Sequence, residues 1–481
     1  MKPRSVFHLI SYVLMFLGFA MGLCWGVSYV MEDPWETQRG MALSFAAVII
    51  VGFSVWSLTR HPPELSVRDG IGVVTFGWLS ASLAGSLPFM LCDAVPSFVD
   101  AFFETVSGLT TTGASIIADP DNTPYGILFW RALTHFMGGM GILVFCVAIL
   151  PLVGTGGMQL YRAEASGVSR DRLTPRIATT AKLLWVIYIG MNVVLTILLR
   201  FGGMSWFDAL CHSFAAVATG GFSTRTESIA AFDSHYIEVV LVAFMFLSAV
   251  NFTLHFRALR GKPLAYFRDT EFRFYFGWWL ASCVAVGLII ANAQHIPLVT
   301  AMRHAVFGVT SLLTTTGFFT MDFDTWPFSA KIILVFCMLI GGCAGSTCGA
   351  MKQVRVLVVL KRIAREAWLF IHPQAVVPVR LGHQIVDNST AASITTFVTL
   401  YLIFYAGAAL AMSFFVDVET AFTATAGCLG GVGPGFSMAG ATEAYDVFPT
   451  PAKCILILSM LLGRLEFYTL LVVLLPRFWR R

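Results

Sequence analysis

Apolar residues fall into ten blocks, at roughly 7–31, 40–59, 70–92, 125–152, 178–201, 235–256, 274–294, 327–370, 390–415 and 451–476. Each is long enough to cross about 30 Å of hydrocarbon as a helix, and ten crossings return both termini to one side. Between blocks three and four, five and six, seven and eight, and nine and ten lies a shorter amphipathic stretch ending in a small-residue turn. The four turns are Leu109-Thr-Thr-Thr-Gly113, Val217-Ala-Thr-Gly-Gly221, Leu313-Thr-Thr-Thr-Gly317 and Gly431-Val-Gly-Pro-Gly435. Aligned on Gly113, Gly220, Gly317 and Gly433, they follow Ala101, Ala209, Ala305 and Ala421 at spacings of 12, 11, 12 and 12 residues. A spacing kept four times, always between two spans, marks an internal repeat.

A helix of a dozen residues is about 18 Å long and crosses only half a bilayer. Such a segment must enter and return through its turn, and non-helical backbone at that depth is tolerated only under protein or water. A central pore surrounded by the four units supplies that cover. The half-helix C-termini then bring about half a negative charge each to the axis, and the turn carbonyls replace a cation's hydration shell. Glycine allows backbone conformations that a Cβ opposes. The hydroxyls of Thr111, Thr112, Thr219, Thr315 and Thr316 either line the path or brace the turns by local hydrogen bonds; Val432 takes that place in the fourth copy.

Composition agrees with a membrane protein: 57% of the 481 residues are hydrophobic and 12% charged, against roughly 25% charged in soluble domains. The first block follows Lys2 and Arg4 but is too long for a signal peptide and has no small-residue cleavage site after it, so it reads as a retained span. The ten cysteines show no metal-binding spacing and read as small buried hydrophobes.

Charge orients the chain. The termini and the loops 60–69, 153–182, 257–273 and 352–389 hold 23 of the 31 basic residues, including Arg162, Arg170, Arg172 and Arg176, which places that side in the cytoplasm. On the same partition 18 of the 27 acids lie outside, among them Asp33, Asp121, Asp324, Asp417, Glu443 and Asp446. An acidic outer mouth concentrates cations, although loop acids excluded from the basic side would look the same.

The eighth block, 44 residues from Pro327 to Phe370, would be about 66 Å long as a helix. Its middle, Gly341-Gly-Cys-Ala-Gly-Ser-Thr-Cys-Gly349, disfavours helix and reads as a break entering the pore below the turns. The residues implicated are Gly341, Gly342, Gly345, Ser346, Thr347, Gly349 and Lys352. The alternative is a small-residue packing face, and Lys352 either joins the gate or snorkels to the interface. Arg464 is a lone charge inside the last span, placed to bind carbonyls or Thr347 of the break or to form an electrostatic barrier. A bond to Glu466 is disfavoured because residues two apart on a helix diverge. Arg131, His135, His212 and His304 read as packing or interfacial residues.

These residues resemble the Trk/Ktr/HKT superfamily of potassium transporters, and within it the bacterial TrkH/TrkG-type subunits. The likeness covers essentially the whole chain. It rests on the two leading spans, on Trp130-Arg-Ala-Leu-Thr-His-Phe-Met-Gly-Gly-Met-Gly141 and Gly156-Gly-Met-Gln-Leu-Tyr-Arg-Ala-Glu164, and on the Gly-Pro-Gly of the fourth turn. It implies an all-α membrane protein with two N-terminal helices (1–66) and four M1-P-M2, potassium-channel-like repeats (67–160, 161–258, 259–370 and 371–481) around one pore. In this family the turn glycine decides potassium against sodium, with serine in the first repeat of sodium-carrying members; glycine at all four positions implies potassium. The resemblance further implies that 341–349 is an intramembrane gating loop, that Arg464 is a barrier beside it, that the protein is a homodimer in the inner membrane, and that a cytosolic, nucleotide-binding TrkA-type ring docks on the basic loops. Lipid headgroups explain those basic loops equally well.

No cofactor and no nucleic acid is expected, potassium being the substrate, and the chain has no nucleotide-binding motif of its own. Obligate proton- or sodium-coupled symport is the alternative mechanism, with Glu466 the main intramembrane acid for it. A membrane-embedded enzyme would need paired acids, a His–Cys dyad or metal ligands at depth, and none has a suitable spacing. Gly113→Ser is expected to raise the sodium-to-potassium permeability ratio, and an unchanged ratio counts against the filter assignment.

Overall fold

A computed structural model of the chain describes residues 2–60, 66–141, 177–382 and 384–479. The expected end of the fourth block, the stretch 156–164 and the basic residues 162–176 lie outside the described residues. Within them the protein is helical apart from one short antiparallel hairpin, Val379–Leu381 with Gln384–Val386, in which Arg380 pairs with Ile385. That hairpin has no counterpart in the apolar pattern.

The leading helices Pro3–Val30 and Trp35–Leu58 form an antiparallel pair. Glycines let them approach closely: a Cβ at Gly22 would lie 3.2 Å from the Phe45 ring, and one at Gly52 would lie 3.0 Å from Met15. Only 22% of the apolar stretch of the second helix is buried, so most of its surface is left for lipid. The turn between the two is tied to the rest of the molecule. The Asp33 carboxylate accepts hydrogen bonds from the backbone N–H groups of Tyr125 and Gly126, at 2.9 and 2.8 Å, and caps the helix that begins there.

The first helix of each of the four repeats is Val67–Gly85 continued by Leu87–Leu91, Ile177–Phe201, Thr270–Gln294 and Asn388–Met412. The half-helices are Phe98–Leu109, Trp206–Val217, Leu298–Leu313 and Val418–Gly430. At 12 to 16 residues they are about 18 to 24 Å long, too short to span. Their starts follow local rules: Ser205 accepts from the N–H of Asp208, Asp417 accepts from that of Thr420, and Asp100, Asp208 and Glu419 put acid into the first turn.

The second helices depart from the expected pattern. A break is expected only in the third repeat, yet each of the four second helices ends or bends within its apolar block. Tyr125–Gly139 ends at Met140; His235–Ser248 turns by 103° into Phe252–Leu259; Phe328–Ile340 resumes as Gln353–Ile371; and Thr450–Leu465 breaks at Glu466 before Phe467–Leu474. Crowding supplies a reason. A Cβ at Gly138 would collide with the Leu109 carbonyl and one at Gly463 with the Leu429 carbonyl, so these helices pass directly under the half-helix ends and diverge there.

Buried side chains such as Trp130, Phe103, Tyr401 and Tyr445 fill the space between the helices, and Trp130 donates its ring N–H to the Gly85 carbonyl at 3.1 Å. Among the described residues eight cysteines are buried, Cys454 is exposed, and none forms a disulfide, so the small-hydrophobe reading holds for those eight. Asp33→Ala leaves two helix-terminal N–H groups unpaired and is expected to lower the stability of the solubilised protein by about 1 kcal/mol, with Asp33→Asn milder; thermal unfolding in detergent measures both.

Candidate functional site

All four half-helices end in the same way. Thr111, Thr219, Thr315 and Gly431 have left-handed φ values of 57, 56, 56 and 68°. The next N–H, of Thr112, Gly220, Thr316 and Val432, reaches back to the carbonyl of Ser107, Ala215, Ser311 and Gly427 at 2.8 to 2.9 Å. That five-residue return closes a helix end with a left-handed residue. For threonine this conformation is costly, on the order of 1–2 kcal/mol, and the packing around each turn must impose it.

This geometry corrects the alignment. The glycines with φ of 85, 86, 81 and 93° are Gly113, Gly221, Gly317 and Gly433, so the second copy carries Gly221 where the turn pattern had pointed to Gly220. Gly220 corresponds to Thr112, Thr316 and Val432. With this register the alanine-to-glycine spacing is 12 in every repeat. The Thr-Gly pair at 219–220 misled because it matches the Thr-Gly of the first and third turns; the discriminating signal was the regularity of the spacing itself.

The four glycines close a ring. A Cβ on Gly113 would collide with the Gly220 carbonyl, one on Gly221 with that of Thr316, one on Gly317 with that of Val432, and one on Gly433 would lie 2.6 Å from that of Thr112. Each repeat thus abuts the next, and the fourth abuts the first. Among the described residues none of the carbonyl oxygens of Thr112, Gly220, Thr316 and Val432 accepts a hydrogen bond. Buried, free carbonyls leave an oxygen cluster suited to a dehydrated cation. Most of the threonine hydroxyls brace the turns: Thr112 bonds to Thr110 and Thr316 to Thr314, both at 2.8 Å, and Thr219 donates to the Ala218 carbonyl at 2.7 Å.

Outside the ring, Gly113, Gly221, Gly317 and Pro434 form the floor of an open cavity whose walls include Arg225, Glu443 and Asp446. Many of the outer acids have structural work instead of facing this mouth. Asp121 and Asp208 both pair with Arg225 at 3.2 Å, Asp324 and Glu419 share Lys331, Asp100 pairs with Lys453 and Glu238 with Arg303. Asp121 is held below the usual carboxylate range, chiefly by the Thr226 N–H. Glu443 and Asp446 are the exposed acids of the cavity wall.

Contacts between repeats hold the non-helical segments that follow the ring glycines, of which the first begins at Ala114 and the second at Phe222. Arg131 makes a 2.8 Å ion pair with Glu104, both buried, and donates to the Ser115 hydroxyl of the first segment and the Ser223 carbonyl of the second. Glu104 also accepts the Ile116 N–H at 2.6 Å. His135 bonds through Nδ1 to the Gly108 carbonyl and through Nε2 to the Phe222 N–H, which fits a neutral ring with its proton on Nδ1. The Ile229 N–H reaches the Phe319 carbonyl, the Ser437 N–H reaches Asp324, and the Tyr445 N–H reaches the Ser115 carbonyl. Arg131 and His135 therefore brace two neighbouring turns, a larger role than packing. Glu104, the partner of Arg131, had no signal in sequence beyond being an acid within a short apolar helix.

Residues 341–352 are non-helical and lie against the inner ends of the half-helices. Thr347 donates to the Val217 carbonyl at 3.0 Å, Cys348 Sγ lies 2.9 Å from the Thr314 carbonyl, and the Gly349 N–H donates to the Thr315 hydroxyl at 3.0 Å. Gly341, Gly345 and Lys352 have φ of 74, 70 and 76°. Gly342 packs on Ala249, the Gly345 carbonyl accepts from the Phe252 N–H, and Ser346 donates to the Cys343 carbonyl. Lys352 is turned inward, its ammonium on the Cys348 carbonyl, with no snorkelling. The Glu271 carboxylate takes the N–H of Ala344 at 2.6 Å and that of Val354 at 3.1 Å, a clamp the sequence reading did not anticipate. Arg464 donates to the Thr347 carbonyl at 3.0 Å and to the carbonyls of Gly138 and Gly139. Glu466 pairs at 2.6 Å with Arg355.

Residues 37–480 match the TrkH family model, described as a cation transport protein. The Trk system potassium uptake protein TrkH of Halomonas elongata is 39% identical over 487 residues, all of both chains, and its namesake from Escherichia coli K12 is 39% identical over the same length. The E. coli K12 protein TrkG is 35% identical over 450 residues, 91% of each chain. The crystal structure of the potassium transporter TrkH from Vibrio parahaemolyticus matches over all of both chains at 36% identity with a TM-score of 0.89.

The ring predicts that Gly221→Ala and Gly221→Ser, whose Cβ must displace the Thr316 carbonyl at a left-handed residue, both shift ion discrimination toward sodium, as is expected of Gly113→Ser. Relative uptake of rubidium and sodium in whole cells measures both.

Proposed function

This chain belongs to the TrkH family of cation transport proteins, and we propose that it is the membrane subunit of a Trk-type system, carrying potassium inward through the ring of turns. It is a multi-pass membrane protein and a transporter, not an enzyme. The observation that carries the reading is the closed ring in which each repeat's glycine meets a free carbonyl of the next. The ion-binding residues are Thr111, Thr112, Gly113, Thr219, Gly220 with Gly221, Thr315, Thr316, Gly317, Val432 and Gly433. Potassium is the ion by analogy with the potassium uptake proteins that this chain resembles and because all four ring positions hold glycine.

The gate is the segment 341–352 with Arg464. It touches the inner ends of the second, third and fourth half-helices, and Arg464 ties it to the first repeat. With four carbonyl-rich helix ends above it, a fixed guanidinium on the path opposes cation passage until the segment moves. The basic side, with both termini, is cytoplasmic. The boundaries 66/67, 160/161, 258/259 and 370/371 divide the leading helices and the four repeats. A homodimer, bearing TrkA-type nucleotide-binding subunits on the basic face, completes the assembly.

Conduction is channel-like. Coupled symport needs an intramembrane acid free to change its proton or sodium load, and among the described residues the acids at depth are engaged. Glu104 is paired with Arg131, Glu466 with Arg355, and Glu271 holds two backbone N–H groups. In liposomes a potassium gradient without a proton gradient is expected to sustain flux, and an absolute requirement for the proton gradient would overturn channel-like conduction. Arg464→Ala is expected to raise basal flux severalfold without loss of folded protein; unchanged flux through a well-folded variant would remove the barrier role.

A further inference from the structure

The carbonyls of the four ring glycines are not equivalent. Among the described residues those of Gly113, Gly221 and Gly317 accept no hydrogen bond, whereas the Gly433 oxygen accepts the phenol O–H of Tyr445 at 2.8 Å. The same oxygen would lie 2.8 Å from a Cβ built at Gly427, within its own half-helix. It is therefore directed back into the protein.

Tyr445 is positioned for this contact from several sides. It is 2% exposed, its ring lies 5.5 Å from Phe103 and is stacked at 5.1 Å on Phe448, and its N–H is anchored to the Ser115 carbonyl at 2.8 Å. It thus binds the fourth turn through its side chain and the segment after Gly113 through its backbone. The fourth turn is also the one in which Gly431 and Val432 stand where the first and third copies have two threonines, so no side-chain hydroxyl within it brings a local brace comparable to the Thr110–Thr112 pair.

We infer that Tyr445 is a selectivity-positioning residue: its phenol withdraws the Gly433 carbonyl from the ion path, leaving an asymmetric oxygen set at the glycine level. This rests on the reading of the four turns as the filter. The chemistry is that of cage size. A cation stripped of water responds to the number and freedom of its carbonyl ligands, and glycine at φ of 93° leaves the 433 peptide free to reorient once the phenol is gone. A buried carbonyl that loses its donor seeks another partner, and the nearest in a loaded filter is the ion.

The test is Tyr445→Phe, which removes one oxygen atom and keeps the ring packing. Purified wild type, Tyr445→Phe, Phe103→Leu and Gly113→Ser are reconstituted in liposomes, and rubidium-to-potassium and sodium-to-potassium permeability ratios are measured. Tyr445→Phe is expected to shift at least one ratio by about three- to tenfold, the range of one hydrogen bond. Phe103→Leu, which loosens the ring but keeps the phenol, is expected to leave both ratios within about twofold. Unchanged ratios in Tyr445→Phe beside a shifted ratio in Gly113→Ser would overturn the role of Tyr445 while the filter stands. Unchanged ratios in both would overturn the filter reading with it. Equal shifts in Tyr445→Phe and Phe103→Leu would reduce Tyr445 to packing.

Discussion

The structure depends on one constraint: backbone polar groups placed at mid-membrane depth have no water to satisfy them unless the fold brings it there. Four half-helices create that problem deliberately, each ending in a non-helical turn far from either surface. The left-handed residue and the five-residue return bond at each end satisfy the N–H groups. They leave carbonyls unpaired, and those carbonyls gather on one axis. A feature that would be a defect in an ordinary membrane helix becomes an oxygen cluster when four copies share it.

Much of the remaining architecture follows from keeping that cluster closed. Repeats can touch through glycine against carbonyl only if nothing larger intervenes, which explains glycine at the ring and at Gly138 and Gly463 beneath it. That close passage coincides with the ends of the second helices of the first and fourth repeats, and the interruption at 341–352 in the third is held by the half-helix ends it faces. Inner segment and third turn share hydrogen bonds directly, the Gly349 N–H with the Thr315 hydroxyl and Cys348 Sγ with the Thr314 carbonyl.

Charge is used sparingly and mostly in pairs. The Glu104–Arg131 pair is wholly buried, and such pairs contribute little net stability because desolvation offsets attraction. Its geometry, with further bonds to Ser115 and Ser223, makes it a strut between two turns. On the outer side, Arg225, Lys331, Lys453 and Arg303 take up six of the 18 acids that composition alone would have assigned to cation attraction.

The two leading helices, the first helix of each repeat, the short half-helices, the broken eighth block and the place of Arg464 in the last apolar block were legible in the order of residues, because hydropathy and helix rise are local. Equivalence in the second repeat was not plainly so: the Thr-Gly pair at 219–220 imitates its neighbours, the even 12-residue spacing is the one signal against it, and backbone conformation decides that Gly221 occupies the ring. Nor could sequence pair Glu104 with Arg131, Glu466 with Arg355, Glu271 with the N–H groups of 344 and 354, or Tyr445 with Gly433. These partners lie 12 to 111 residues apart, and which buried donor meets which acceptor is decided by how the four repeats close on one another.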